Sequence, residues 1–234
     1  MELSQPIYHL KRRAKLISRT EGIPLHAALD RVAREEGFRT WGTLAAQVSP
    51  RGLRSTILKK LSHGDLFLLA GRPGQGKTVL GLELAIEALR RGGCAAFFTL
   101  EYTQAQVRRS FRELGEDPAR FGSRLRIDTS DEISAAYIIN VLASADPGTV
   151  VVVDYLQLLD QRRENAPLSQ QVASLRAFAL ERGLIIVCLS QIDRAFESTG
   201  RRVPRMTDVR LPNPVDLGLF SKVCFVHGNQ VSFG

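Results

Sequence analysis

The sequence has few cysteines and no long apolar run. Its three cysteines, Cys94, Cys188 and Cys224, show no CxxC spacing and no paired histidine, so they outline neither a metal site nor a disulfide framework. We expect each to be a buried, reduced thiol packed as a small hydrophobic side chain. No apolar run reaches the roughly 18 residues that a membrane-spanning helix needs, so we expect no membrane association.

The N-terminal segment also lacks the features of an export signal. Its sequence, MELSQPIYHLKRRAK, contains basic residues, but no apolar stretch follows them. Together with the expectation of reduced cysteines, this pattern predicts a cytoplasmic protein.

Acidic residues are outnumbered, with 24 Asp and Glu against 32 Lys and Arg in 234 residues. The excess is concentrated at the N-terminus, where residues 1–54 contain ten Lys and Arg against five Asp and Glu. A basic segment is compatible with an anionic partner, of which nucleic acid is the first to consider. A solvated helical face would give the same composition, and charge alone does not separate the two interpretations.

The first part of the chain has helical periodicity. One apolar stripe follows Pro24 at a spacing typical of a helix and consists of Leu25, Ala28, Leu29, Val32 and Ala33. Gly37 is placed to end that helix. We therefore predict a small helical module over residues 1–50, a boundary near residues 48–55, and a second domain over residues 51–234.

From Gly64 onward the pattern changes to short runs that are apolar throughout. These predicted strands are Leu66–Ala70, Ala95–Leu100, Leu125–Ile127, Val150–Val153, Leu184–Leu189 and Val223–Val226. Helical stretches such as Val79–Arg91 and Ser169–Arg182 separate them, which indicates an α/β fold with a mostly parallel sheet covered on both faces. The polar stretches Gln161–Pro167 and Arg194–Arg205 are predicted to be mobile loops.

The first of these strands runs directly into a phosphate-binding motif, Gly71-Arg72-Pro73-Gly74-Gln75-Gly76-Lys77-Thr78. This is G-x-x-x-x-G-K-[ST] in the strand–loop–helix context that the motif requires. Its main-chain N–H groups and the following helix N-terminus attract phosphates, Lys77 reaches the β- and γ-phosphates, and the Thr78 hydroxyl ligates Mg²⁺. The predicted nucleotide-binding residues are Gly71, Arg72, Pro73, Gly74, Gln75, Gly76, Lys77, Thr78 and Val79.

Three other strand ends carry polar side chains suited to the same site. Asp154 follows four valines, as a second acidic metal ligand of a P-loop protein does. Glu101 follows another strand and is able to orient an attacking water, although an acid that stabilises a helix N-terminus is the alternative. Gln191 follows a third strand and is suited to sensing the γ-phosphate. Because ligands of open α/β sheets bind beyond the carboxyl ends of the strands, we expect these residues to meet.

The stretches GDLFLLAGRPGQGKT, FFTLEYT, VVVVDYLQLLD and IIVCLSQIDR occur in the order found in the ATPase domain of DnaB-type replicative helicases, which the chain resembles from about Gly64 to Arg194. This family lies within the wider RecA-like group. The resemblance implies ATP and Mg²⁺ as ligands, Glu101 as the catalytic glutamate, Asp154 as the Walker B acid and Gln191 as the γ-phosphate sensor. It also implies that the sensor strand lies between the P-loop strand and the Walker B strand.

The sequence departs from the family outside that region. The family has a larger N-terminal domain, and its ATPase domain continues into a basic hairpin whose arginine reaches the nucleotide of the next subunit. This sequence has no Lys or Arg after Lys222. We therefore expect slow hydrolysis, since an arginine finger contributes roughly 10³–10⁵ in rate where it is used. Candidates for a substitute are Arg194, Arg201, Arg202, Arg205 and Arg210.

Two functions of different classes remain open. The first is an ATPase linked to DNA, a reduced helicase or loader relative, which would bind single-stranded DNA through the N-terminal module and through Arg162, Arg163, Arg201 and Arg202. The second is a regulatory or signalling RecA-like ATPase that switches a protein partner. A small-molecule kinase is a weaker third interpretation. A homo-oligomer and a monomer both fit the sequence.

Overall fold

The computed structural model begins with helices that enclose a small core of their own. The residues it describes are 4–5, 7–48, 53–160, 162, 164–201, 203–210, 213, 215–227 and 230–233. The first four helices are α1 (Ile7–Glu21), α2 (Leu25–Glu35), α3 (Trp41–Val48) and α4 (Leu53–Lys60). The first three are the helices that the sequence predicts, whereas α4 lies where only a boundary was expected. The division of the chain at residue 50 stays a prediction.

The core of α1–α3 follows from their apolar faces. Its fully buried residues are Leu10, Ala14, Ala28, Val32, Ala33 and Leu44. Pro24 directly precedes α2, where its missing N–H costs no hydrogen bond. Gly37 follows the helix with a φ of 83°, a conformation that glycine adopts without strain.

A single sheet forms the rest of the fold. Its strands are β1 (Leu66–Gly71), β2 (Ala95–Thr99), β3 (Leu125–Asp128), β4 (Val150–Asp154), β5 (Ile185–Gln191), β6 (Lys222–His227) and β7 (Gln230–Phe233). Over the described residues the order is β3-β2-β4-β5-β1-β6-β7, and every pairing is parallel except that of β6 with β7. The longer helices that flank it are α5 (Lys77–Arg90), α6 (Gln104–Glu113), α7 (Ala135–Val141) and α8 (Leu168–Arg182).

This architecture confirms the predicted fold class, an α/β fold with a mostly parallel sheet flanked by helices. It also confirms the implied strand order, because β5 lies between β1 and β4. Alternate residues of β1 show why both faces are covered. Leu66 and Leu68 pack into one core with α8, while Phe67 and Leu69 pack into the other with α5.

Asp154 and Gln191 lie at the tips of β4 and β5, where the sequence places them, and both still pair with neighbouring strands. Other details differ from the prediction. β7 was not predicted. The stretch expected to be a mobile loop from residue 194 begins with a 3₁₀ helix, Arg194–Thr199, where the Asp193 side chain accepts a hydrogen bond of 2.8 Å from the Ala195 N–H.

Across the part of the chain that the structure describes, no helix has both the length and the apolar character needed to cross a bilayer.

Candidate nucleotide site

The loop between β1 and α5 has the shape of a phosphate cradle. Gly74 and Gly76 have φ values of 81° and 80°, which side chains with a Cβ rarely adopt, so glycine is needed at both. Gly76 is the N-cap of α5 and provides no side chain to block the helix N-terminus. Gly71 lies under the loop, where an added Cβ would come within 2.9 Å of the Val226 carbonyl oxygen.

Lys77 is a buried cation at the start of α5, with its side chain turned back into the loop. Its Nζ donates a hydrogen bond of 2.9 Å to the carbonyl oxygen of Arg72. Burial lowers the pKa of Lys77 to about 8, with the nearby charges of Asp154 and Glu101 acting in the opposite direction and Lys11 adding to the decrease. An anionic ligand would relieve this cost of burial.

Asp154 provides a buried carboxylate opposite the loop. It is 3% exposed and pairs with Thr99 across β4 and β2. Burial raises its pKa to about 7, and Glu101 adds to the increase, while a hydrogen bond from Thr78 and the charge of Lys77 oppose it. Its Oδ2 is buried without a hydrogen-bond partner in the described structure.

These features fit a divalent cation. A buried carboxylate oxygen without a partner is costly unless a ligand satisfies it, and a hard cation such as Mg²⁺ prefers oxygen ligands. Thr78 adds a hydroxyl beside the same carboxylate. Within the described ranges no cluster of three His, Cys, Asp or Glu side chains would hold a metal. This agrees with a P-loop site, where nucleotide and water oxygens complete the coordination.

Glu101 and Gln191 approach from two other strands. The Glu101 N–H donates a hydrogen bond of 3.1 Å to Thr99 Oγ1, which fixes the chain as it leaves β2. The Glu101 side chain is exposed to the cavity. Gln191 pairs with Gly71 in the register of β5 and β1, so its side chain lies beside the floor of the loop.

One cavity brings most of the predicted residues together. The predicted residues that line it are Pro73, Gly74, Gly76, Lys77, Thr78, Val79, Glu101, Asp154 and Gln191. Gly71, Arg72 and Gln75 do not line it. They shape the loop from behind, since Gln75 is buried and donates its N–H to the Arg72 carbonyl oxygen at 3.3 Å. The nucleotide and metal roles of all these residues stay predictions.

Comparison with known proteins shows which sequences and folds this chain is similar to. The family model for the DnaB-like helicase C-terminal domain matches residues 121–216. The replicative DNA helicase DnaB of Synechocystis is 30% identical over 183 residues, which are 64% of this chain and 21% of that protein. A solved structure described as an ATPase domain superposes with a TM-score of 0.59 at 18% identity and covers 70% of each chain. The chain is thus similar in sequence to the ATPase domain of DnaB-type helicases and has a RecA-like fold.

The chain spans only part of the length of the relatives that it matches. A probable plasmid replicative DNA helicase of Chlamydia muridarum is 29% identical over 181 residues, which are 64% of this chain and 40% of that protein. The chain therefore spans well under half the length of both curated relatives. A KaiC-like protein of Pyrococcus horikoshii also shares the fold, with a TM-score of 0.54 at 20% identity and coverage of 70% and 71%.

Sequence motifs missed several residues that surround the candidate site. Tyr102 and Tyr155 line the cavity beside Glu101 and Asp154, and each directly follows one of those acids in the sequence. Lys11 lines it as well, from α1, some 60 residues before the P-loop. Adjacency to a motif was a signal for the two tyrosines, whereas no local pattern indicates Lys11.

Of the predicted DNA-contacting arginines, the two that the structure describes, Arg162 and Arg201, do not line this cavity. Arg162 is exposed and forms an ion pair of 3.2 Å with Asp131. Arg201 is bound within its own loop, since it pairs with Asp208 at 2.7 Å and its guanidinium carbon lies 5.3 Å from the centre of the Phe196 ring. Arg163 and Arg202 lie outside the described residues. Contact of these residues with nucleic acid stays a prediction.

Proposed function

We propose that this chain binds ATP with Mg²⁺, hydrolyses it, and couples this reaction to DNA. The observation that carries the proposal is the convergence of Lys77, Thr78 and Asp154 in one cavity, with a buried Asp154 oxygen that lacks a partner in the described structure. A P-loop that holds its metal needs these three groups together. The description of a structural neighbour as an ATPase domain supports ATP as the nucleotide.

Each residue then has one task. Main-chain N–H groups of the loop and the N-terminus of α5 hold the β- and γ-phosphates, and Lys77 neutralises part of their charge. Thr78 and Asp154 would hold Mg²⁺, which supplies further neutralisation of the charge that develops on the phosphates. Glu101 orients the attacking water through its carboxylate. Gln191, at the tip of β5, contacts the γ-phosphate through its amide.

Turnover with and without Lys77 tests the nucleotide part of the proposal. The protein should bind ATP in the presence of Mg²⁺ and release phosphate. Lys77→Ala should abolish tight binding in isothermal titration calorimetry, because the loop then lacks the cation that faces the phosphates. Equal affinity of both proteins for ATP would contradict the proposed site.

The link to DNA rests on relatives and on charge. Both curated relatives are described as replicative DNA helicases. Helix α1 exposes Arg12, Lys15 and Arg19, which share one helical face because they are three or four positions apart. Arg13, by contrast, forms an ion pair with Glu35. The exposed basic face is suited to the phosphates of single-stranded DNA.

A pair of double variants tests that face. Replacing Arg12 and Arg19 by Gln should weaken binding of a fluorescent single-stranded oligonucleotide. It should also reduce the slope of log affinity against log salt by about 0.7 for each phosphate that the protein no longer neutralises. The matched control replaces Arg112 and Arg120, which are also exposed, by Gln. Equal binding by both variants and the parent would exclude the α1 face as the DNA site.

A regulatory ATPase that switches a protein partner is the second candidate. The observation in its favour is that α1 contributes Lys11 to the nucleotide cavity, so the nucleotide and the N-terminal helices are in contact range. Leu16 and Leu25 on these helices are 63% and 40% exposed and would suit a protein partner. Turnover that DNA leaves unchanged would favour this function, whereas stimulation by DNA would favour the first. The mass of the protein in solution is measured alongside turnover and shows whether the chain forms a homo-oligomer.

A further inference from the structure

The N-terminal helices lie beside the mouth of the nucleotide cavity. Helix α3 lies next to α6. A Cβ added to Gly42 of α3 would be 3.4 Å from the Cβ of Glu113 in α6, which is van der Waals range. Helix α6 also contributes Val107 and Ser110 to the cavity wall. Packing against α6 thus places α1 where its Lys11 side chain lines the cavity.

The charges around Lys11 locate it within the cavity. Lys11 is half-buried. Its pKa is lowered mainly by burial and secondly by repulsion from Lys15, while attraction to Glu101 opposes this decrease. Lys11 in turn contributes to the lowered pKa of Lys77. Lys11 lines the same cavity as Glu101 and Lys77, so these three charged side chains face one space.

Those two neighbours identify one end of the nucleotide. In a P-loop site the lysine reaches the β- and γ-phosphates, and the carboxylate that orients water faces the γ-phosphate. A cation near both lies at the terminal phosphate, away from the base. Two partly desolvated ammonium groups near one cavity repel each other, and a polyanion bound between them would offset that cost.

We propose that Lys11 binds the terminal phosphate of the nucleoside triphosphate and is a second cation of the site, supplied by the same chain. This inference rests on the proposed nucleotide site. It makes Lys11 a residue that distinguishes the triphosphate from the diphosphate, because only the triphosphate reaches the Glu101 end of the cavity. It also makes the contact between α1 and the core depend on the state of the nucleotide.

Affinities for two nucleotides test the proposal. Lys11→Met keeps most of the length of the side chain and removes its charge. We expect this variant to bind ATP with Mg²⁺ about tenfold more weakly, the effect of one hydrogen bond to a charged group, and to bind ADP within about twofold of the parent. Lys11→Arg should retain most of the preference for ATP. Lys59→Met removes the same charge from an exposed residue of α4 that does not line the cavity, and should bind both nucleotides as the parent does.

A second measurement does not depend on any variant. Acylation of lysines in the parent protein, followed by mass spectrometry, should show Lys11 protected by a non-hydrolysable ATP analogue with Mg²⁺ and much less by ADP. Lys15 should react equally in both states. Equal reactivity of Lys11 with either nucleotide would overturn the proposal.

Other outcomes separate this proposal from the nucleotide site itself. Equal losses of ATP and ADP affinity in Lys11→Met would overturn the assignment to the terminal phosphate. Unchanged or tighter binding of ATP by Lys11→Met would also overturn this assignment. Tighter binding would mean that α1 blocks the cavity and that the nucleotide displaces it. If ATP binding depends on Lys77 in each of these cases, only the role of Lys11 fails. If the parent binds no nucleotide, the proposed function fails.

Discussion

The Lys77 ammonium donates its 2.9 Å hydrogen bond to the carbonyl oxygen of Arg72, five residues earlier in the same loop. The cation of the P-loop is thus held at the centre of its own cradle by a main-chain acceptor. The ammonium has three N–H groups, so it can donate to an entering phosphate from this position. Because the bond is local to the loop, removing it should affect binding far more than folding.

The lowered pKa of Lys77 predicts that nucleotide binding takes up protons. With a pKa of about 8, this lysine is partly neutral at pH 8 in the free protein. A bound triphosphate favours the charged form and raises that pKa. Calorimetric titration at pH 8, in buffers of different ionisation enthalpy, should therefore show uptake of about half a proton from this group.

The same titration at pH 6 is the internal control, because Lys77 is already protonated there and its contribution should fall close to zero. Both titrations are carried out without Mg²⁺, because Asp154, with a pKa of about 7, would release protons on binding the metal at pH 6. Proton uptake by this group that is equally large at pH 6 would contradict the lowered pKa.

Replacing Glu101 by Gln should separate binding from turnover. The amide keeps the shape of the side chain but lacks the negative charge that orients and polarises water. We expect an ATP affinity within a few-fold of the parent and a kcat lower by about 10²–10⁴, measured by phosphate release. Glu132→Gln, at an exposed position outside the cavity, is the matched control. Turnover at the parental rate in Glu101→Gln would show that this carboxylate has no part in catalysis.

Replacing Asp154 by Asn should stabilise the nucleotide-free protein while removing its Mg²⁺ dependence. The ordinary pKa of 3.8 is raised to about 7 in the fold, so folding favours the protonated acid. The charged carboxylate therefore costs stability above pH 7, the cost shrinks as the pH falls from 7 towards 4, and it vanishes below the ordinary pKa. We expect a free energy of unfolding higher by about 2 kcal/mol at pH 8 for the variant.

Urea unfolding at pH 8 and pH 4 measures this effect. Asp131→Asn is the control, since its side chain is 85% exposed and should change stability little at either pH. If Asp154→Asn is less stable than the parent at pH 8, the charged carboxylate stabilises the fold. Asp154 would then be a structural group and not a metal ligand whose charge destabilises the nucleotide-free protein.

Adding one methyl group under the P-loop should destabilise the fold. In Gly71→Ala the new Cβ would meet the Val226 carbonyl oxygen at 2.9 Å and the Val226 Cβ at 3.2 Å, and a paired strand moves little. We expect a loss of about 1–3 kcal/mol in the free energy of unfolding. Gly42→Ala is the control, because its nearest contact of 3.4 Å is ordinary and alanine favours the helix. Equal stability of the two variants would show that β1 and β6 separate easily.

Much of the fold could be predicted from local sequence patterns. Runs of apolar residues such as Val150–Val153 predict strands buried on both faces, since a strand between two layers of helices has no polar side. The P-loop was readable because it needs glycine at fixed positions and a lysine at one more. The pairing partners of Asp154 and Gln191 could not be predicted, because Thr99 and Gly71 belong to strands far away in sequence.

The sequence by itself determined the mostly parallel sheet and the residues expected at its carboxyl edge, because strand periodicity and the P-loop pattern are local properties. Only the tertiary structure decided what surrounds them. It left the Asp154 Oδ2 without a partner in the described residues and placed Lys11 of α1 in the cavity. The burial and the electrostatic environment of a site depend on groups that are distant in sequence. They cannot be predicted from any short stretch of residues.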